Sequence, residues 1–303
     1  MRRTASRPRV VAAAQPLLWL GPAIALIGLV VITPVVIMVR TAFRRIDSIG
    51  FDRGSAGWSN FERVFHEPTL HAVLWRTVFW VVSVVVITMV LSLALAALFN
   101  QQFPGRRVAR WALIAPWAAS VFMTAVVFRW MLNPDSGLIN VVLHRVGLLD
   151  EIGPAVAKAD WLGRPGAAMW WMIGVAVFVS LPFTTYALLA GLQAIPGDIY
   201  EAARVDGAGP VRTYLSMTLP LLRPALTVAT LINIMNVFNS FPIIWEMTRG
   251  GPGDQTATTT VFMYQIKSSS IAEAAAMSVV NFGFVVVIVL IFLKASRWQE
   301  QAD

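Results

Sequence analysis

The sequence predicts an all-α integral membrane protein: six transmembrane helices, with a cytoplasmic helical loop between the fourth and the fifth. Composition comes first. Only 13% of the 303 residues are charged and 57% are hydrophobic, whereas a soluble domain carries about 25% charged residues. Mean hydropathy is +0.67. Second, stretches without Asp, Glu, Lys or Arg run over 10–39, 77–105, 165–197, 224–245 and 274–293, with a shorter one at 111–128. A bilayer crossing needs about 20 mostly apolar residues. Third, these runs are continuous, not alternating as in the strands of a membrane barrel. The same numbers exclude a soluble enzyme and a disordered chain. Cysteine is absent, which excludes disulfides, thiolate metal sites and cysteine nucleophiles.

The spans are taken in order. An N-terminal tail is expected at 1–15 and the first helix at 16–39. Arg2, Arg3, Arg7 and Arg9 fit the basic start of a signal peptide. The apolar run that follows outlasts the usual stretch of about 7–15 residues, so a retained span is expected. The second helix is expected at 75–99, closed by the turn Pro104-Gly105-Arg106-Arg107. The third runs over 111–132, past Arg129, and the fourth over 168–193, stopped by Pro196 and Gly197. The fifth lies at 222–246 and the sixth at 274–294, before a C-terminal tail at 297–303. Six spans put both termini on one side. The segments on that side carry 12 basic and 5 acidic residues, the opposite loops 9 and 10. The basic side is cytoplasmic by the positive-inside rule. With the bilayer as partner, the positive charge calls for no nucleic acid.

The loop at 194–221 differs from the others. Asp198 with Glu201 has capping-box spacing. A helix is expected from Ile199 to Asp206, with Gly207 at its C′ position and Pro210 opening a second short helix that Leu219-Pro220 ends. Ala202 and Ala203 leave a low surface flanked by Glu201, Arg204 and Asp206. Such a surface can dock into a groove on another protein. Equally, a solvated loop uses alanine for helix propensity.

Glu201-Ala202-Ala203, three residues, Gly207, nine residues, Met217, one residue and Leu219-Pro220 resemble the E-A-A loop, E-A-A-x3-G-x9-I-x-L-P, of permease subunits of bacterial ABC importers. Only Met217 departs. Three further segments resemble the carbohydrate-uptake branch, the maltose and glycerol-3-phosphate type: Leu189 to Pro196, Thr248-Arg249-Gly250-Gly251-Pro252 with Thr256, and Gly57-Trp58-Ser59-Asn60-Phe61. The resemblance implies a coupling helix that sits in a cleft on a separate ATPase. It carries over to Glu201, Ala202, Ala203, Arg204, Asp206, Gly207, Leu219 and Pro220. It also implies a second homologous permease, two ATPase subunits and an extracytoplasmic substrate-binding protein, in a bacterial inner membrane. The chain itself would bind no cofactor, with ATP and magnesium on the partner ATPases.

The energy source can be read from residues alone. No G-x-x-x-x-G-K-[ST] loop is present, so this chain is not expected to hydrolyse ATP. Gradient-driven carriers usually hold Asp, Glu or His within their spans. Here Glu246 lies at a span end, and His66, His71 and His144 fall in outer loops. A partner ATPase is therefore favoured; a secondary carrier for a small polar solute is the alternative. His66-Glu67 invites a zinc reading, but H-E-x-x-H would need histidine where Leu70 stands.

Polar side chains within spans mark the expected path. The fifth span holds Asn233, Asn236, Asn239 and Ser240, with Pro242 beyond. Spacings of three keep the amides near one helix face, and each offers two donors and two acceptor lone pairs to a sugar hydroxyl. Interhelical hydrogen bonding is the competing role. Asn236 and Asn239 best match the substrate-contacting asparagines that the resemblance implies. Ser180, Thr184 and Thr185 in the fourth span, loosened by Pro182, are candidates for the facing wall, and Asn281 in the sixth is a weaker one. Trp130 fits either a sugar ring or the interfacial belt. Arg129 fits either snorkelling to the interface or contact with a phosphate.

Overall fold

The computed structural model describes residues 20–47, 50–147 and 160–300. The expected tail at 1–15, the first four residues of the first span and the last three of the C-terminal tail lie outside them. The described chain is helical apart from one two-stranded hairpin. Among the described residues, five helices are long and apolar enough to cross a membrane, and a shorter apolar helix stands in the third position. The chain is a multi-pass membrane protein. It divides into two compact units, residues 1–67 with 265–282 and residues 68–264 with 283–303.

In the first unit, α1 (Leu20–Ala42) leads into the antiparallel pair β1 (Arg44–Ile46) and β2 (Asp52–Ser55) and then α2 (Ser59–Phe65). The sequence reading had no strands here. Asn60 organises the junction. Its fully buried amide donates to the carbonyls of Ala42 at 2.7 Å and Arg44 at 2.9 Å, and it accepts from Arg63, which also pairs with Glu273 at 2.6 Å. A buried amide left unpaired costs about 1–3 kcal/mol, so the two carbonyls fix where α1 ends. Phe43, Trp58 and Phe61 pack edge and face beside it.

The second unit is built on α3 (Leu70–Asn100) and α7 (Pro165–Gln193), which pack along their lengths. Between them in the chain lie α4 (Arg106–Ile114), a single turn at Ala115–Ala118, α5 (Val121–Met131) and α6 (Leu138–Arg145). The third span, expected as one helix over 111–132, is thus interrupted. Pro116 brings no N–H to the ladder, and Ser120 is extended at φ −61°, ψ 138°.

Next come α8 (Gly197–Val205) and α9 (Pro210–Thr213), a π-helical turn at Tyr214–Thr218 and a short turn at Leu219–Leu221. Leu219-Pro220 was expected to end the second short helix. Instead the chain stays helical through it, with Pro220 at a first-turn position where its missing N–H costs nothing.

The fifth span is also in two pieces, α10 (Arg223–Phe238) and α11 (Phe241–Thr248). After it come α12 (Thr259–Lys267) and α13 (Ile271–Glu300), the latter running through both units. Ala96, Phe99, Leu188, Leu189, Leu192, Leu222 and Ala229 form the apolar cluster that ties α10 to α3 and α7. Gly191 allows that approach: a Cβ there would stand 2.6 Å from the Cβ of Ala225.

Candidate functional site

The break in the fifth span is the structural centre of the site. Phe241 N–H donates to the Asn239 carbonyl at 2.8 Å, and Pro242 has no N–H to restore the ladder. Trp80 of α3, 1% exposed, pins the break: its indole N–H is shared between the Val237 carbonyl and Ser240 Oγ, both at 3.1 Å. Tryptophan buried in a span needs such an acceptor. Nothing in the local sequence marks Trp80, because its partners lie far along the chain.

The break opens onto a cavity of about 640 Å³. Asn233, Asn236, Asn239, Ser240 and Ser180 line it, together with Trp117 and Phe183. Five of the expected pathway residues are therefore brought together. Among the described lining residues none is ionisable. Irregular backbone at membrane depth is tolerated where it lines a cavity, and a broken helix beside one is a frequent construction in transporters.

The three asparagines divide by environment. Asn233 is buried at 3% exposure and donates to Thr184 Oγ1 at 2.8 Å and to the Ala229 carbonyl at 2.9 Å. Its amide holds α10 against α7 and has little left to offer a cargo. Asn236 is exposed and its side-chain amide makes no hydrogen bond to the described chain. Asn239 is exposed and spends one donor on the Met235 carbonyl at 2.9 Å. An Asn233→Ala chain is expected to lose about 0.6–1.7 kcal/mol of stability, the range for hydrogen bonds between transmembrane helices. Thermal unfolding in detergent checks this, with cargo handling little changed.

Thr184 and Thr185 do not form the facing wall. Both are fully buried; Thr184 donates to the Ser180 carbonyl at 2.8 Å and accepts from Asn233. Helix α7 passes Pro182 without a break, so the hydroxyls are not turned into the cavity. Asn281 is buried on α13, within the first unit. Trp130 is 71% exposed and absent from the cavity lining, as a belt residue would be. The aromatic rings in the cavity are Phe183 of α7 and Trp117, in the turn after Pro116; the interruption that places Trp117 was the signal available. Arg129 donates to the Glu246 carbonyl at 3.2 Å, joining the ends of α5 and α11.

The 194–221 segment is the second part of the site. Helix α8 starts two residues earlier than expected for a capping box. Pro196 is its N-cap and no side chain caps it. Asp198 lies in the first turn, where its charge favours the helix dipole. The C-terminus matches expectation. Gly207 has φ +72°, its N–H donates to the Arg204 carbonyl at 3.1 Å, and Ala208 N–H donates to the Ala203 carbonyl at 2.9 Å, the Schellman pair.

Ala203 is buried at 1% exposure and faces inward, not outward with Ala202. The presented surface is Glu201, Ala202, Arg204, Val205 and Asp206. Val205 at 87%, Val211 at 70% and Leu215 at 57% are exposed apolar side chains on this segment. Leu219 and Pro220 are half-buried where it joins the fifth span. Nearby, burial and then the neighbouring Tyr200 raise the Tyr214 phenol above its ordinary value, so it stays protonated at neutral pH.

A third feature is the stretch Thr248 to Thr256, which the sequence marked by its resemblance to the carbohydrate-uptake branch: it is a compact hydrogen-bonded loop. Thr248 and Thr256 share a hydroxyl contact at 2.8 Å, Thr256 Oγ1 donates to the Gly251 carbonyl at 2.7 Å, and Arg76 of α3 donates to the Asp254 carbonyl at 2.6 Å.

Comparison with known proteins gives the family. Residues 77–300 match the family model described as binding-protein-dependent transport system inner membrane component. A probable ABC transporter permease protein of Brucella suis biovar 1 (strain 1330) is 37% identical over 283 residues, 93% of this chain and 96% of that one. The sulfoquinovosyl glycerol transport system permease protein of Agrobacterium fabrum is 30% identical over 286 residues, 93% of this chain and 90% of that one. Among solved structures, a bacterial alginate ABC transporter in complex with an alginate pentasaccharide-bound periplasmic protein aligns with TM-score 0.81 at 20% identity, covering 95% of this chain and 96% of that one.

Proposed function

We propose a role for a chain that belongs to the family of binding-protein-dependent transport system inner membrane components: it forms half of the path by which an ATP-driven importer takes up a hydroxyl-rich solute of the sugar or glycerophosphate type. The chain is the transport subunit of an ABC importer of the carbohydrate type, and the ATPase is a separate chain. The second homologous permease, the two ATPase subunits with their ATP and magnesium, and the inner bacterial membrane with both termini in the cytoplasm complete the assembly.

The cavity at the break in the fifth span carries the reading of the solute. Its polar groups are amides and hydroxyls with no charge among them. Amides pair with hydroxyls without presenting net charge, and Trp117 offers a flat apolar face. The relative from Agrobacterium fabrum is named for sulfoquinovosyl glycerol and the aligned transporter for alginate, both of which carry hydroxyl-rich rings.

The segment 194–221 is the lever. Its exposed Val205, Val211 and Leu215 enter a cleft on the ATPase, with Glu201, Arg204 and Asp206 at the rim. The Gly207 corner and the helical run through Pro220 keep it stiff, so ATPase closure moves the fifth span. Cargo released by the binding protein reaches Asn236 and Asn239.

The deciding experiment is uptake by proteoliposomes. The chain with its second permease, ATPases and binding protein is expected to take up cargo only with internal ATP. The chain alone is expected to show none under a proton or sodium gradient; gradient-driven accumulation by the chain alone would refute the role.

A further inference from the structure

A strongly basic concavity is lined by residues outside both the cavity lining and the 194–221 segment. Helix α4 carries Arg106, Arg107 and Arg110, and with Trp111 and Ile114 these face a pocket of about 360 Å³ closed on the far side by Tyr186 of α7. Helical geometry explains the grouping: positions 106, 107, 110, 111 and 114 share one face. On the other side of α4, Ala109 and Leu113 pack against the apolar cluster under α3 and α7.

The pocket is braced from below. Arg110 Nη2 donates to the Phe99 carbonyl at 2.7 Å, Tyr186 Oη donates to the Arg110 carbonyl at 3.0 Å, and Arg106 Nη1 donates to the Gln101 carbonyl at 3.1 Å.

Two observations mark the pocket as lacking something. Ion pairs are made by Arg44, Arg53 and Arg63, whereas no carboxylate among the described residues meets the three arginines of α4. In addition, the Nε of Arg110 is buried with no hydrogen-bond partner. A buried guanidinium N–H without an acceptor is costly, more so than a neutral group. A phosphate supplies what is absent: oxygens in the geometry that an arginine fork accepts two at a time.

The surroundings select the source of the phosphate. Helix α4 follows directly on the apolar α3 and exposes Trp111 at 68% and Val108 at 72%. Arginine and tryptophan on one short amphipathic helix at a span end suit the headgroup–acyl boundary. Basic pockets between transmembrane helices on the cytoplasmic side suit anionic lipid headgroups.

We propose that the pocket of Arg106, Arg107, Arg110 and Tyr186 binds the phosphate of an anionic phospholipid of the inner leaflet, with Trp111 against its glycerol and upper chain. The site holds α4 at the interface and so anchors the interrupted third span. It is independent of which solute is carried.

Photo-cross-linking tests it on the full chain in nanodiscs of phosphatidylcholine doped with a phosphatidylglycerol bearing a headgroup-proximal diazirine. Labelling is expected on the segment 105–117. It should fall roughly thirtyfold in the Arg106→Gln, Arg107→Gln chain, the effect of two arginines near an anionic surface. Arg110 is left intact there because it also holds the Phe99 carbonyl. The Arg106→Lys, Arg107→Lys chain keeps the charge and is expected to retain part of the labelling, which separates loss of binding from loss of fold.

Equal labelling by a phosphatidylcholine probe, labelling confined to other segments, or full labelling of the glutamine chain would overturn the proposal. Loss of labelling on adding inorganic phosphate would assign the site to a soluble anion instead. Protection of the segment by the purified ATPase in membranes without anionic lipid would make it a protein interface. Each of these readouts is made without transport, so failure here is distinct from failure of the transport role.

Discussion

Replacing Gly207 by valine is expected to cut ATP-driven uptake roughly tenfold while the chain still inserts and assembles. The residue sits at φ +72°, where an L residue costs about 1–2 kcal/mol and a β-branched one is a genuine outlier. There is room for the side chain, since nothing lies within 4 Å of a Cβ built there. The cost therefore falls on the backbone corner and not on packing. Valine shifts the Schellman turn toward open conformers, and about 1.4 kcal/mol of such strain is a tenfold change in population. An open corner lets α8 swing without moving the fifth span. Hydrolysis by the partner ATPase should then persist while uptake falls, measured side by side in proteoliposomes. Gly207→Asn serves as the control, because asparagine visits the left-handed region readily and should transport almost normally. Full uptake by the valine chain would remove the lever role from this loop.

The second large effect is expected at Asn236 and Asn239. Both point amides into the cavity, one wholly uncommitted and the other with a single donor engaged. Leucine at either position leaves a cargo hydroxyl buried without a partner, which costs about 1–3 kcal/mol. The double Asn236→Leu, Asn239→Leu chain should therefore lose uptake by roughly a hundredfold at low cargo concentration, two such losses taken together. Asn233→Ala is the matched comparison, as its amide is spent between helices. If the double variant transports normally and Asn233→Ala does not, the cavity is not the route.

The identity of the family was legible because it is written in local spacing: Glu201-Ala202-Ala203 to Gly207 to Pro220 depends on helix, corner and proline at set intervals. The Gly207 corner was legible for the same reason. The capping box at Asp198 and Glu201 was not realised, because Pro196 already fixes the backbone at the helix start. The outward Ala202-Ala203 surface also failed by half. Sequence spacing does not say which of two adjacent alanines meets the body of the protein, and Ala203 does.

In the fifth span the three asparagines share a helix face, yet a neighbouring helix removes one of them. Thr184 on α7 takes Asn233, a pairing between residues far apart in the chain. Likewise Trp80, pinned to Val237 and Ser240, and Trp117, set in the cavity by the turn after Pro116, owe their roles to partners that no local window contains.

By itself, then, the sequence determined that the chain lives in a bilayer, that it crosses by helices and that its energy comes from elsewhere. Those properties follow from composition, run length and missing motifs, which are sums over residues. Only the tertiary structure decided where two of those helices break, which amides stay free to meet a solute and which arginines stand without a counter-ion. These depend on what each polar group finds opposite it once the helices pack, because a buried donor or acceptor must be matched across the interface and not along the chain.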